Sequence, residues 1–197
     1  MMSTEEKRIE EFKKSDYASL LRGAFDGLKR GILYESHIHG QGHIERTMLL
    51  AAMIAEGEKL TEDEMKLCLL ACSYHDIGRA NDYLDRYHGT ISANRISAGI
   101  IDDVIADLSE DDTNILKAAI CSHSDHDSNL SFYERIYDVK DHERYMKVAM
   151  TLKDADNLDR VRLGDLDEKY LRQKTSRELP GVAQWIFDNM KNVSKEI

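Results

Sequence analysis

Four side chains in three sequence segments combine the residue types that bind divalent metals. His43 lies in HGQGHIERT, the doublet His75-Asp76 in ACSYHDIGRA, and Asp156 in LKDADNLDRVR. Imidazole and carboxylate groups bind divalent transition metals and can leave coordination positions open. A metal with an open position can make water a nucleophile near neutral pH. These residues therefore predict a metal-assisted hydrolase, and they predict where the water would be activated.

The faces of the predicted helices place the histidines on the inside of the protein. His75 follows Cys68 by seven residues and Cys72 by three within an apolar run, which puts it on the buried side of its helix. His123 follows Ile120 by three residues and shares the apolar face of its own helix. The alternative is that each buried histidine has a separate hydrogen-bonding partner in the core.

The helix near 141–161 contains two candidate carboxylates. Asp156 follows Leu152 by four residues and continues the apolar stripe of this helix, whereas Asp154 continues Lys147, on a face expected to point outward. An ionised carboxylate on a buried stripe is costly unless it is paired or bound to a metal. The spacing therefore predicts Asp156 as the inward carboxylate.

Helical periodicity dominates the sequence, so helices must position these side chains. No alternating pattern predicts a strand of useful length. A capping box at Thr61 and Glu64 begins one helix, and Gly78 is placed to end it. Ser109, with Asp112 three residues later, is placed to begin another. No repeat or linker marks a second domain, so we predict one all-α domain over 1–197. Helices are predicted near 4–14, 16–30, 42–56, 61–78, 88–107, 110–123, 141–161 and 182–195, with irregular segments at 124–140 and 164–181.

Composition restricts the class of protein. The chain of 197 residues has 42% hydrophobic residues and a single proline, which suits one compact helical domain. Its net charge of −10 argues against non-specific electrostatic binding of nucleic acid. A metal centre can still attract a small phosphorylated molecule. The three cysteines, Cys68, Cys72 and Cys121, are expected to be buried free thiols.

The sequence also predicts a cytoplasmic location. Its first residues are charged and lack the apolar centre of a signal peptide. No apolar run approaches the ~18 residues that span a bilayer. Sparse cysteines without a secretory disulfide framework suit a reducing compartment. We therefore expect no membrane partner.

The order of these motifs resembles the HD-domain superfamily of metal-dependent phosphohydrolases. HGQGHIERTMLLA resembles the helix with the first His, LLACSYHDIGRA the doublet, and LKDADNLDRVR the closing Asp motif. YHGTISANRIS and AAICSHS resemble the His segments between them, so the resemblance covers about 37–163. It implies a helical bundle of the HD-domain type. It also implies hydrolysis of a phosphate ester or anhydride in a nucleotide or another small phosphorylated metabolite.

The resemblance further implies a metal site. His88 and His123 match positions that complete a second metal site in some members and serve substrate phosphate in others. The sequence lacks the Gly-Tyr-Pro signature and the adjacent His pair of the two-metal cyclic-dinucleotide branch, so one ion or two stays open, with two favoured. Mn²⁺, Fe²⁺, Co²⁺, Ni²⁺ and Zn²⁺ all suit such ligands. By resemblance the first ion is held by His43, His75, Asp76 and Asp156.

Phosphate hydrolysis also needs cations that offset charge on the phosphoryl oxygens. Arg160, four residues after the closing Asp, is the predicted phosphate contact, and Arg46, Arg79 and Lys153 are further candidates. For each of them a salt bridge to a nearby acid is the alternative. Asp76, or a nearby His, is predicted to accept a proton from water.

Other histidines and the aromatic residues complete the predictions. His37 and His39 are expected to be solvated or to contact the ligands rather than the metal, and His126 could take the place of the missing paired His. The chain has few aromatic residues and no basic aromatic strip, so a polynucleotide is not expected as a substrate. The distal part of a small substrate is expected to contact Phe132, Tyr133, Tyr137 and Tyr170.

Two other functions stay open, a di-iron oxygenase and a metal-containing nucleotide sensor or scaffold without activity. The sequence has no P-loop, GxGxxG, GxSxG or HEXXH motif. Phosphate binding would therefore depend on the metal and the arginines.

Overall fold

A computed structural model of the protein describes residues 2–197. These residues form helices, turns and loops and contain no β-strand, which confirms the predicted all-α class. The α-helices are α1 (Thr4–Phe12), α2 (Asp16–Asp26), α3 (Gln41–Gly57), α4 (Glu62–Tyr74), α5 (His88–Ser97), α6 (Asp102–Ile105), α7 (Glu110–Ser122), α8 (Leu130–Ile136), α9 (His142–Leu158), α10 (Pro180–Asn189) and α11 (Val193–Glu196). Short 3-10 helices lie at Arg30–Ile32, Asp127–Asn129, Asp159–Leu163, Glu168–Tyr170 and Ser176–Glu178.

Local capping explains where several helices begin. The Thr61 side chain accepts a hydrogen bond from the Glu64 backbone, and the Glu64 carboxylate accepts one from the Thr61 backbone, which confirms the predicted capping box of α4. The Ser109 hydroxyl accepts from the backbone N–H of Asp112 at the start of α7, as its position predicted.

The core lies where α3, α4, α7 and α9 pack against one another. Leu50, Ile54 and Leu152 are buried in this core, and each such side chain contributes roughly 1.5–3 kcal/mol to folding. The three cysteines are buried free thiols, as predicted. Among the described residues, no helix has the length and apolar character needed to cross a membrane.

Three predicted segments are divided differently in the structure. The helix predicted over 88–107 is interrupted because Gly99 has a φ of +88°, a left-handed conformation that glycine adopts readily and that ends α5. The prediction of an irregular segment at 124–140 was wrong, since α8 lies within it. The final predicted helix is split into α10 and α11.

Two glycines allow the close packing that brings the His segments together. A Cβ atom on Gly78 would lie 2.4 Å from the carbonyl oxygen of His88, so the turn after α4 lies directly against α5. A Cβ atom on Gly89 would lie 2.7 Å from the carbonyl oxygen of Ile120, so α5 lies directly against α7. Gly78 was predicted to end α4, but this helix ends at Tyr74, and the glycine instead makes room for α5.

Candidate metal centre

Helix ends bring the predicted ligands to one place. His43 is near the start of α3, His75 caps the end of α4 and His88 begins α5. His123 caps the end of α7, and Asp156 lies in the last turn of α9. Side chains from five segments therefore converge on one site, although the outermost two, His43 and Asp156, are 113 positions apart in the sequence.

The first group consists of His43, His75, Asp76 and Asp156. The Nε2 atoms of His43 and His75 lie 3.1 Å apart. The Nε2 atom of His43 is 3.4 Å from Oδ1 of Asp156 and 3.6 Å from Oδ2 of Asp76. The ligand atoms of His43, His75 and Asp76 are close enough to share one ion, and Asp156 forms an overlapping set with His75 and His123.

The second group consists of Asp76, His88 and His123. The Nε2 atoms of the two histidines lie 2.8 Å apart. The Oδ1 atom of Asp76 is 3.2 Å from Nε2 of His88 and 3.8 Å from Nε2 of His123. Asp76 therefore presents one carboxylate oxygen to each group.

The hydrogen bonds of the histidines define which ring nitrogen points toward the other ligands of its group. In each ring Nδ1 lies against an oxygen acceptor, which places the ring proton there and leaves a lone pair on Nε2. Two facing lone pairs repel each other unless a cation lies between them, so this arrangement fits a metal. The Nδ1 acceptors of His43, His75, His88 and His123 are the carboxylate of Asp159 and the carbonyl oxygens of Cys72, Asp85 and Ile120, respectively.

Burial keeps the imidazoles of His43, His88 and His123 neutral. It lowers the pKa of His43 to about 4, with a further contribution from the charge of Arg162. Burial also lowers the pKa of His88, and it lowers that of His123 well below the ordinary value. A neutral imidazole is the form that binds a metal, so the rings are ready for a ligand role at pH 7.

The carboxylate of Asp76 gives the clearest test of whether a metal fits. Both oxygens are buried and accept no hydrogen bond from any described residue, although Nε of Arg79 lies 2.8 Å from Oδ2 without the alignment that a hydrogen bond needs. Burial pushes the pKa of Asp76 upward, but His75, His43 and Arg79 outweigh it and hold the pKa below its usual range. A buried anion without hydrogen bonds is costly, and a bound cation would remove that cost.

The prediction about the two carboxylates of α9 was wrong in part. Asp154 does not point outward, because it is fully buried and accepts hydrogen bonds from the hydroxyl of Ser176 and the backbone of Arg172. Asp156 is the more exposed of the two, with its side chain 31% accessible. Its nearness to His43, rather than its burial, places it in the first group.

Asp159 is a candidate functional residue that the sequence motifs do not single out. Its Oδ2 lies 2.7 Å from Nδ1 of His43, and its Oδ1 accepts a hydrogen bond of 2.6 Å from Nε of Arg46. Arg162 donates to the same carboxylate at 3.2 Å. A carboxylate behind a ligating His fixes the ring orientation and raises its basicity. Its position three residues after Asp156, on the same helical face, was the available signal.

A cavity of about 420 Å³ opens beside the two groups. His88, His123 and Asp156 line it, so the ligand atoms are accessible to a small molecule. Arg79 and Arg160 also line it and supply positive charge.

The cations around this cavity differ in how they are paired. Arg160 pairs with Asp165. The Nζ atom of buried Lys153 donates to the carbonyl oxygens of Ser122 and Asp125 at 2.9 and 2.6 Å. Arg86 lines the cavity with no ion pair or side-chain hydrogen bond to any described residue. All four candidate cations follow the salt-bridge alternative, since Arg46 pairs with Asp159, Arg79 with Asp76, Arg160 with Asp165 and Lys153 with Asp127.

The remaining histidines lie outside the two groups. His39 is buried, and its Nδ1 is 2.9 Å from Oδ1 of Asp82. His37 is exposed, and so is His126, whose ring contacts Ser128. His126 therefore does not replace a missing ligand.

The predicted aromatic contacts of the cavity need a correction. Tyr170 lines the cavity, whereas Phe132, Tyr133 and Tyr137 do not. They lie on or just after α8, away from the cavity lining. Residues of the loop between α4 and α5 line the cavity instead.

The fold and the site define an all-α protein with a cluster of histidines and aspartates suited to a divalent metal. Residues 40–161, more than half of the chain, match the HD domain. The chain therefore belongs to the HD domain family, a superfamily of metal-dependent phosphohydrolases, as its motifs predicted. Comparisons with curated proteins and with solved structures gave no match.

Proposed function

We propose that this protein is a metal-dependent phosphohydrolase that acts on a nucleotide or another small phosphorylated metabolite. The observation that carries the proposal is the buried carboxylate of Asp76, which has no hydrogen bond and faces two His pairs beside a cation-lined cavity. The sensor and oxygenase alternatives gain no support from a specific contact.

The metal of this proposal is a divalent transition ion such as Mn²⁺, Fe²⁺, Co²⁺, Ni²⁺ or Zn²⁺. His43, His75, Asp76 and Asp156 would hold one ion, and Asp76, His88 and His123 would hold another. We favour two ions because Asp76 offers a separate oxygen to each group. When bound, such an ion polarises a phosphoryl oxygen and lowers the pKa of water.

The residues of the cavity supply the rest of the chemistry. Arg79 and Arg160 stabilise negative charge on the phosphoryl oxygens. To do so, Arg160 leaves its ion pair with Asp165 and contacts the substrate phosphate. A carboxylate oxygen of Asp76 takes the proton of the attacking water. The cavity volume suits a small ligand and does not suit a polynucleotide.

The test is phosphate release from a panel of nucleoside monophosphates and sugar phosphates. Protein stripped with a chelator is reloaded with each divalent metal in turn. We expect release that depends on the metal and is lost in Asp76→Ala, with unchanged far-UV circular dichroism as the control for folding. Absence of release with every metal would contradict the proposal, and so would processive cleavage of DNA or RNA. Metal-dependent consumption of dioxygen would instead support the oxygenase.

We further propose that the protein acts in the cytoplasm without a membrane partner. The buried free thiols support a reducing compartment. Fractionation of the producing cells, followed by detection of the protein, tests this location.

A further inference from the structure

Exposed apolar side chains concentrate at the mouth of the cavity. Among the described residues, eleven large hydrophobic side chains are exposed. Tyr83 and Leu84, in the loop between α4 and α5, are 83% and 89% accessible. Such a concentration is unusual outside a binding site, because exposed apolar surface is normally scattered. Five of the eleven line this one cavity, and they are Ile38, Tyr83, Leu84, Leu163 and Tyr170.

The cavity is therefore divided by polarity. Its lining includes ligand atoms and the guanidinium of Arg79, where a phosphate would bind. It also includes the apolar side chains named above, which come from the segment before α3, the loop before α5 and the segment after α9. A ligand that fills both parts must have an anionic end and an apolar end.

The acidic side chains near the mouth are already engaged within the protein. Asp82 accepts a hydrogen bond from the hydroxyl of Ser36 and lies against His39. Asp85 accepts from the backbone of Tyr87.

Asp125 is engaged in the same way, since its carboxylate accepts from the hydroxyl of Tyr133 and the amide of Asn129. These hydrogen bonds leave fewer free acceptor positions for a ligand rich in hydroxyl groups. An apolar group needs none of them, and it would remove Tyr83 and Leu84 from water.

We propose that the organic part of the substrate is an aromatic ring system that contacts Tyr83, Leu84, Leu163 and Tyr170. The phosphate of the substrate would lie at the first and second groups of candidate metal ligands. Two tyrosines at the mouth favour an aromatic partner, because their rings form offset or edge-to-face contacts. This inference rests on the proposed function for the position of the phosphate. It makes Tyr83 and Leu84 residues that determine specificity.

Binding of two phosphonates to the metal-loaded full chain tests this inference. Benzylphosphonate and 2-hydroxyethylphosphonate both carry a phosphonate that is not hydrolysed, and they differ in the apolar ring. Calorimetric titration of the wild type should show benzylphosphonate binding at least tenfold more tightly. The double variant Tyr83→Ser/Leu84→Ser should reduce this preference to about twofold or less.

Tyr87→Ser is the matched control, because Tyr87 lies in the same loop, is 74% accessible and does not line the cavity. It should keep the preference. Equal binding of the two phosphonates by the wild type, binding of neither, or a preference that survives the double variant would overturn the inference. Phosphate release is measured separately, so a protein that prefers benzylphosphonate but hydrolyses no ester would contradict the proposed function alone.

Discussion

Asp76 joins the two groups through its two carboxylate oxygens. Its neighbour His75 lies in the same turn, directly after α4. The turn after α4 thus supplies one ligand to the first group and one that both groups share. Because these two residues are adjacent in the chain, their relative position depends mainly on local structure. The other ligands depend on how the helices pack.

The two aspartates of α9 should respond differently to substitution. Asp156→Asn removes a charge from the first group, so we expect metal binding at least tenfold weaker with little change in the stability of the metal-free protein. Asp154→Asn breaks the ion pair between the fully buried Asp154 carboxylate and the partly exposed Arg172, so we expect the free energy of unfolding to fall by about 3 kcal/mol while folded protein keeps its metal. Metal analysis and urea unfolding measure the two effects. Equal loss of metal in both variants would contradict the assignment of Asp156.

Asp159 should set the orientation of the His43 ring. Asp159→Asn weakens the acceptor at Nδ1, so we expect metal affinity to fall about 10–100-fold, the usual range for a partner behind a ligating His. Competition with a chromogenic chelator measures the affinity. Asp165→Asn is the control, since this exposed carboxylate pairs with Arg160 and contacts no proposed ligand. Unchanged affinity in Asp159→Asn would show that packing alone orients the ring.

At the scale of elements, α9 connects the two groups. Its last turns carry Asp156, which belongs to the first group, and Lys153, which reaches the end of α7. The Nζ atom of Lys153 donates to the carbonyl oxygens of Ser122 and His123, at 2.9 and 3.3 Å. These carbonyls lie at the end of α7, and that of Ser122 also accepts from the backbone N–H of Asp125. Lys153 therefore holds the helix end that presents His123.

Loss of this contact should affect the second group first. In Lys153→Met we expect the metal content to fall by about one ion per chain, because the position of His123 is no longer fixed, while the ion at the first group stays. Lys153→Arg, which keeps the donors, should restore part of the loss. Lys147→Met is the control, since Lys147 lies on the same helix and pairs with Glu64 and Glu143. Metal analysis by plasma mass spectrometry measures the content, and loss of both ions together would contradict separate groups.

At the scale of the whole molecule, buried neutral histidines make stability depend on pH. Between pH 6.5 and about 4 the unfolded chain binds a proton on His43 that the folded chain does not bind. The unfolded state is therefore favoured as the pH falls, and the stability of the metal-free protein should decrease through this window. His88 and His123 act in the same direction, because burial lowers their pKa values too.

Urea unfolding of chelator-treated protein at several pH values measures this slope. His43→Asn removes one titrating group, so it should flatten the slope between pH 6.5 and 4. His126→Gln is the control, because His126 is exposed and lies outside both groups. A metal-free wild type with constant stability across this window would contradict the role assigned to burial.

The sequence by itself determined the helical class, the caps at Thr61 and Ser109, and the motifs of the HD domain family. These features depend on residues a few positions apart, where helix geometry makes spacing informative. The same spacing failed for Asp154, because a polar residue on an apparently outward face can be buried by a distant segment, here the one that carries Arg172 and Ser176.

Only the tertiary structure decided how the predicted ligands divide into two groups and which residues lie behind and around them. The Asp159 carboxylate behind His43 and the apolar side chains of Tyr83 and Leu84 at the cavity depend on contacts between segments far apart in the chain. Local propensity does not encode such contacts, since they follow from the packing of α3, α4, α5, α7 and α9. The close approach that Gly78 and Gly89 allow is part of that packing, and it brings His75, Asp76, His88 and His123 within reach of shared ions.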